Sequence, residues 1–154
     1  MKRVAIQGVI GSFHDIAAHQ YFAGEQLQVI CCSTFEQIFE NIKRDPTVIG
    51  FLAIENTIAG SLLHNYELLR SSGTTIVGEH RLHIQHAICC LPDDDWSTIH
   101  EVQSHPVALM QCRNFLANHP ELKAVEGEDT AGSAEYISRQ QCHGWAAICH
   151  ADAA

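Results

Sequence analysis

Basic side chains are scarce in this sequence. Nine Lys and Arg stand against eighteen Asp and Glu, a formal net charge of −9 with histidine neutral. That balance excludes an extended nucleic-acid surface, which needs a basic face to displace counterions from phosphates. No cluster of Lys and Arg is present to hold an anionic membrane surface. Long apolar runs are also missing, and none approaches the ~20 residues that a membrane helix requires. The basic start "MKRVAIQG" lacks the apolar segment and small-residue cleavage site of a signal peptide, and it reads as a first strand. The cytoplasm is the expected compartment. Neither a C-x-x-C pair nor the G-K-[ST] ending of a phosphate loop occurs.

Seven cysteines and eleven histidines are present all the same. Cys31-Cys32 and Cys89-Cys90 are adjacent pairs inside apolar runs, and neighbours on a strand point to opposite faces. The cysteines are therefore read as reduced, small hydrophobes. "HRLHIQH" puts His80 and His86 on one strand face and His83 on the other. Six residues of strand separate the first two too widely to share one ion. No metal and no cofactor are expected.

The 154 residues are 46% apolar, enough for one compact unit or two small lobes. Strand and helix patterns alternate. "RVAIQG", "LQVICC" and "TVIGFLAIE" read as strands, the last near-continuously apolar as a buried parallel strand is. "SFHDIAAHQYFAG", "TFEQIFENIKRD" and "SLLHNYELLRSSG" read as helices. The second carries Phe35, Ile38, Phe39 and Ile42 on one face, with Thr34 and Gln37 as a capping box. The third presents Leu62, Leu63, Tyr66 and Leu69 to the core. "TTIVGEHRLHIQHAICCL" predicts one long strand or two linked strands. "HEVQSH", "KAVEGE" and "WAAICH" are further strands. "PVALMQCRNFLANH" is a helix with Pro106 at its first position, and "DTAGSAEYISRQQC" is another. The pattern predicts an α/β fold with a parallel or mixed sheet.

Ligands of open α/β sheets sit beyond the carboxyl ends of strands, against helix N-termini. Four such junctions carry polar groups. "GVIGSFHDIAA" has Ser12 with Asp15 three residues on. "ENTIAGS" leaves an apolar run through Glu55, Asn56 and Thr57. "QSHPVALMQC" places Ser104 and His105 before a helix. "EGEDTAGSA" sets Glu128 beside a cap at Asp129 or Thr130. Each alone is an ordinary helix cap. Capping does not account for an acid and an amide at the end of a buried strand, where both need partners.

"GVIGSFHDIAA", "AIENTIAGSLLHNYELL", "QSHPVALMQC", "EDTAGSAEYIS" and "AAICHADAA" occur in the order seen in prephenate dehydratases. The whole chain resembles their catalytic domain. The resemblance implies two α/β lobes, about 1–76 and 77–154, similar to type-2 periplasmic binding proteins, with the active site in the cleft between them. It implies conversion of prephenate to phenylpyruvate, carbon dioxide and water in phenylalanine biosynthesis, without metal or cofactor. The family's polar catalytic positions fall on Asn56, Ser104, Gln111 and Glu128. Ser12, Thr57, Gly60, Ser61, His105, Thr130 and Ala131 occupy matching positions around the substrate.

The family pattern also includes a later segment ending in Thr-Arg-Phe, whose threonine assists hydroxide loss, and a C-terminal ACT-type domain that binds phenylalanine. Neither lies within these residues. The 154-residue chain is therefore expected to show little dehydratase activity and no phenylalanine feedback. The resemblance further implies a homo-oligomer for the full-length protein, while the charge balance leads to the expectation of no nucleic-acid or membrane partner. Arogenate dehydration is the competing enzymatic reading, and a non-catalytic two-lobed module for a small anion is the competing non-enzymatic one.

Overall fold

The computed structural model describes residues 1–153, and for Asp152 its backbone only. The chain divides into two compact units, Met1–His83 and Ile84–Ala154. The sequence reading placed that boundary near residue 76.

In the first unit, β1 (Lys2–Gln7) is the central strand of a three-stranded parallel sheet. It lies between β2 (Leu27–Cys32) and β3 (Val48–Phe51). Alternation along β1 separates two cores. Val4 and Ile6 pack with Ala18 and Phe22 of the segment that includes α1 (Phe13–Tyr21). Ala5 faces the other way, onto Cys32, Val48 and Ile38 of α2 (Phe35–Arg44). Both faces are covered, so β1 can be apolar at successive positions. Gly50 of β3 lets α2 sit close. A Cβ there would fall 2.7 Å from Ile38 Cγ2 and 2.8 Å from Ile42 Cδ1.

A hairpin of β4 (Glu55–Asn56) and β5 (Gly60–Ser61) follows, then α3 (Leu63–Ser72), closed by Gly73 in the left-handed conformation. The second unit holds a four-stranded mixed sheet. Its strands are β6 (Ala87–Cys90), β7 (Glu101–Ser104), β8 (Lys123–Glu126) and β9 (Trp145–Cys149), in the order β6-β9-β7-β8. Only the β6–β9 pairing is antiparallel among these. Between β7 and β8 run α4 (Pro106–Gln111) and α5 (Arg113–Ala117), and α6 (Thr130–Gln140) joins β8 to β9. Val102, Ala146 and Ile148 pack with Ala108, Leu109 and Leu122 on one face. Ala147 packs with Leu91 and Ile137 on the other.

Several sequence expectations need correction. Residues 74–86 form no regular strand, and Ile76 and Val77 are 71% and 74% exposed. A strand holds only when a neighbour supplies a ladder, and this stretch pairs with none. His80, His83 and His86 therefore do not share a strand. The third predicted strand stops at Phe51, and its polar end becomes the separate β4–β5 hairpin. Helix α3 is rotated relative to its apolar pattern: Leu63 is 74% and Tyr66 42% exposed, while Asn65 is buried. The cause is a hydrogen bond, since Asn65 Nδ2 donates to Ala53 O at 2.7 Å and a satisfied amide can occupy a core position. Thr34 makes no capping bond to the helix, and Gln37 Oε1 instead accepts from the Ser33 amide and hydroxyl. The single helix expected after Pro106 breaks into two at Cys112.

The adjacent cysteines do separate as strand geometry demands. Cys31 is exposed and Cys32 buried, while Cys89 is half-buried and Cys90 exposed, and all seven are free thiols. Among the described residues, no helix is long and apolar enough to cross a membrane. No group of three or more His, Cys, Asp or Glu among them is placed to hold a metal ion.

Candidate active site

Ser12 ends a loop in which Gly8 (φ 108°) and Gly11 (φ 82°) take conformations closed to most side chains. Its buried hydroxyl accepts from the Asp15 amide at 3.4 Å and caps α1. Asp15 is buried as well. Its Oδ2 accepts from the Gly11 amide at 2.9 Å, and His19 Nδ1 lies 3.1 Å from Oδ1. Two residues into the helix, His14 Nε2 accepts from the Ala53 amide at 3.1 Å. That contact joins the head of α1 to the segment leading into the hairpin.

The hairpin organises the second polar group. Asn56 Oδ1 accepts from the amides of Ile58 and Ala59 at 3.0 and 2.9 Å, so the side chain shapes the turn that follows it. Thr57 lies within this turn and is exposed. Gly60 pairs with Asn56 and has a φ of 87°, which disfavours any residue with a Cβ. Glu55 accepts from the Ser61 hydroxyl at 2.9 Å through both oxygens and from the Tyr66 hydroxyl at 2.5 Å. The Tyr66 and Ser61 hydrogen bonds hold its carboxyl below the usual glutamate range, and the same bond pushes the Tyr66 phenol up. Tyr66, read from its spacing as a core residue, thus belongs to the polar cluster.

In the second unit, Ser104 stands at the carboxyl end of β7 and is fully buried. Its Oγ donates to Ile148 O of β9 at 2.5 Å, while its carbonyl accepts from the Gly127 amide at 2.8 Å. His105 caps α4, its Nδ1 accepting from the Val107 amide at 3.2 Å. The register sets Ser104 against Glu126, which brings the 127–130 turn alongside it. Gly127 suits this closeness, because a Cβ there would fall 2.5 Å from Ser133 Oγ. Asp129, and not Thr130, caps α6 through Oδ1 to the Gly132 amide at 2.9 Å. Thr130 and Ala131 are buried in the first turn, and Glu128 is exposed beside it.

Gln111, at the end of α4, is half-buried. His86 Nε2 lies 2.6 Å from its Oε1. The amide oxygen can only accept, so the ring donates and Nε2 carries the proton. That arrangement turns the two Gln111 N–H donors away from His86. The sequence reading weighed His86 as a metal ligand and preferred a place on a solvated or pocket-lining strand, and no local spacing could reveal a partner 25 residues away.

The structure thus gathers Asn56, Thr57, Gly60 and Ser61 on one hairpin. It gathers Ser104, His105, Glu128, Thr130 and Ala131 at the carboxyl edge of the second sheet. Comparison with known proteins gives these clusters a context. The prephenate dehydratase family pattern matches residues 4–154. The chain belongs to the prephenate dehydratase family. It is 34% identical over 139 residues to the bifunctional chorismate mutase/prephenate dehydratase of Escherichia coli K12, covering 89% of this chain and 36% of that protein. It is 35% identical over 153 residues to arogenate dehydratase 5 (chloroplastic) of Arabidopsis thaliana, covering 99% and 36%. Family members thus carry two substrate names. Among solved structures, the prephenate dehydratase of Staphylococcus aureus Mu50 superposes with a TM-score of 0.78 at 28% identity, covering 97% of this chain and 54% of that one. Another, described as GqqA, a novel type of quorum quenching acylase, superposes at 0.85 with 30% identity, covering 99% and 55%. The chain spans about a third of the length of these curated relatives and about half that of the two structures.

Proposed function

We propose that this chain carries the substrate-handling residues of a dehydratase that converts prephenate to phenylpyruvate in phenylalanine biosynthesis. The observation that carries the reading is the family match over residues 4–154. It agrees in kind with the polar groups at Asn56, Ser104 and Gln111.

The reaction breaks two bonds of the substrate ring. The ring carboxylate leaves as carbon dioxide, its electron pair enters the ring, and the hydroxyl departs as hydroxide while the ring becomes aromatic. A proton delivered to the departing oxygen yields water. No covalent nucleophile is needed. The side-chain carboxylate of prephenate suits the backbone N–H groups at a helix start, which favour anions. Ser12 and Thr130 lie at two such starts, those of α1 and α6. Gln111, held through its amide oxygen by His86, is assigned to a substrate oxygen from its place in the family pattern. Asn56 Oδ1 is engaged in its own turn, and Asn56 is assigned to substrate from its place in the family pattern. Proton delivery to the leaving hydroxyl is general acid catalysis. In the family pattern it is assigned to the threonine of Thr-Arg-Phe, and Glu128 is a further polar position of that pattern. The ring carboxylate loses its charge most readily where water is excluded.

Arogenate is the second reading, supported by the Arabidopsis relative. It differs in bearing an amino group on the side chain, so prephenate and arogenate assayed side by side discriminate the two. Assembly as a homo-oligomer is proposed with the function and is read by light scattering.

The test follows phenylpyruvate by its absorbance in alkali. The 154-residue chain and one extended through a Thr-Arg-Phe segment run against spontaneous breakdown. Turnover confined to the extended chain is expected. Turnover by neither chain on prephenate or arogenate, with both folded, refutes the proposal. A parallel N-acyl amide assay examines the activity named for the acylase neighbour.

A further inference from the structure

Cys89 of β6 and Cys149 of β9 take no part in the proposed reaction. Their strands are antiparallel, with Cys89 opposite Ala147 and Cys149 opposite Ala87. Residues two apart on a strand share a face, so both thiols leave the same side of the sheet as diagonal neighbours. Their sulfur atoms lie 3.3 Å apart. Cys149 is fully buried and Cys89 half-buried, so Cys89 is the more accessible residue of the pair. A disulfide needs an S–S separation of about 2.05 Å. The gap to close is about 1.3 Å, and diagonal neighbours close it by side-chain rotation together with a small shift of backbone.

We propose that Cys89 and Cys149 form a reversible oxidation site, in which a hydroperoxide converts the two neighbouring thiols to a disulfide. The Cys89 thiolate attacks one peroxide oxygen and the O–O bond breaks. Cys89 becomes a sulfenic acid, and the released oxyanion takes a proton to become water or an alcohol. The Cys149 sulfur then attacks the Cys89 sulfur. The S–O bond breaks, and the hydroxide leaves as water with the Cys149 proton. The thiols lose two electrons and the peroxide gains them.

The environment assigns the order of attack. The contact between the two sulfurs lowers Cys89 to about 7, while the same contact and burial push Cys149 up, and Cys89 is the more exposed of the two. Burial pushes Cys32, Cys90 and Cys112 up as well. The thiolate is the reactive form, so Cys89 is the first to react. Diagonal strand neighbours stand at or just beyond the usual span of a disulfide, and a strained bridge is readily reduced. Closure also has a direct structural address. The residue before Cys149 is Ile148, whose carbonyl holds the Ser104 hydroxyl. Oxidation therefore loads β9 next to Ser104.

The experiment treats the purified 154-residue chain with hydrogen peroxide at pH 7, blocks remaining thiols, and maps peptides without reduction. The expected result is loss of two of the seven thiols in a linked Cys89–Cys149 peptide pair, reversed by dithiothreitol. Cys89 should be consumed at least about tenfold faster than Cys32 or Cys112, from their thiolate fractions. Cys89→Ser should abolish the intrachain link, and Cys31→Ser should leave it intact. If Cys89→Ser does not fold, alkylation of the unmodified chain at pH 7 gives the same ranking, with Cys89 expected first. Bridges between molecules through exposed Cys31 or Cys90, or Cys89 oxidised to sulfinic acid with Cys149 still free, would overturn the proposal.

Discussion

Replacing Ser104 with alanine separates two demands on one hydroxyl. The side chain is fully buried, and its proton goes to Ile148 O at 2.5 Å. Removing it takes a donor from a buried carbonyl at the junction of β7 and β9. A buried acceptor left without this partner costs about 1–3 kcal/mol, while loss of one oxygen atom leaves little cavity. The second unit is small, so its dependence on urea should be near 1 kcal/mol per molar. The unfolding midpoint should therefore fall by about 1 M or more. The measurement is clean because both tryptophans, Trp96 and Trp145, lie in the second unit. Their fluorescence reads that unit, and the first contributes none. Turnover of Ser104→Ala in an extended, active chain is measured beside it. The expected outcome is a lower midpoint together with lower turnover. An unchanged midpoint with turnover lost would refute the structural half of the reasoning and assign the hydroxyl to substrate alone.

Three further outcomes follow from other contacts. Gly50→Ala should destabilise the first unit by about 1–3 kcal/mol through overpacking, because the new methyl meets Ile38 at 2.7 Å; circular dichroism reads the loss, and an unchanged melt would contradict the packing. His86→Ala should lower turnover of the extended chain about tenfold through Gln111, whereas His86→Gln, which keeps a donor near the Nε2 position, should retain most of it. A His86→Ala/Gln111→Ala double variant should be no slower than Gln111→Ala, and additive losses would show that His86 does not act through that amide. Alkylation of Cys89 should be half-maximal near pH 7, where its thiol titrates. Below that pH the protonated form dominates and the rate should fall about tenfold per unit; a midpoint at the ordinary thiol value would contradict the Cys149 contact.

The elements with strong patterns were legible in the sequence. β1, β2 and α2 stand out because both faces of a parallel sheet are buried and Ile38 sits on a regular apolar stripe. The caps at Ser12 and Asp129 follow from local side-chain chemistry. What was not legible depends on partners remote in sequence. Residues 74–86 have a strand's composition, yet no neighbouring strand meets them. Helix α3 turns its polar Asn65 inward because Ala53 offers a carbonyl there, and periodicity counts apolar residues without seeing that acceptor. The candidate site divides the same way. Motif positions proposed Asn56, Ser104 and Gln111, while the contacts of Tyr66 and His86 emerged only once the chain was folded.

The order β6-β9-β7-β8 has a consequence for biosynthesis. The three described strands of the first sheet are all present once Phe51 has emerged from the ribosome. The four described strands of the second are not, because the interior one, Trp145–Cys149, comes last of them in chain order. Until that strand arrives, β6 and β7 have no neighbour between them and expose backbone edges that invite pairing with other chains. The nascent chain thus carries an early-folding half and a late-folding half, and the late half is where chaperone protection matters.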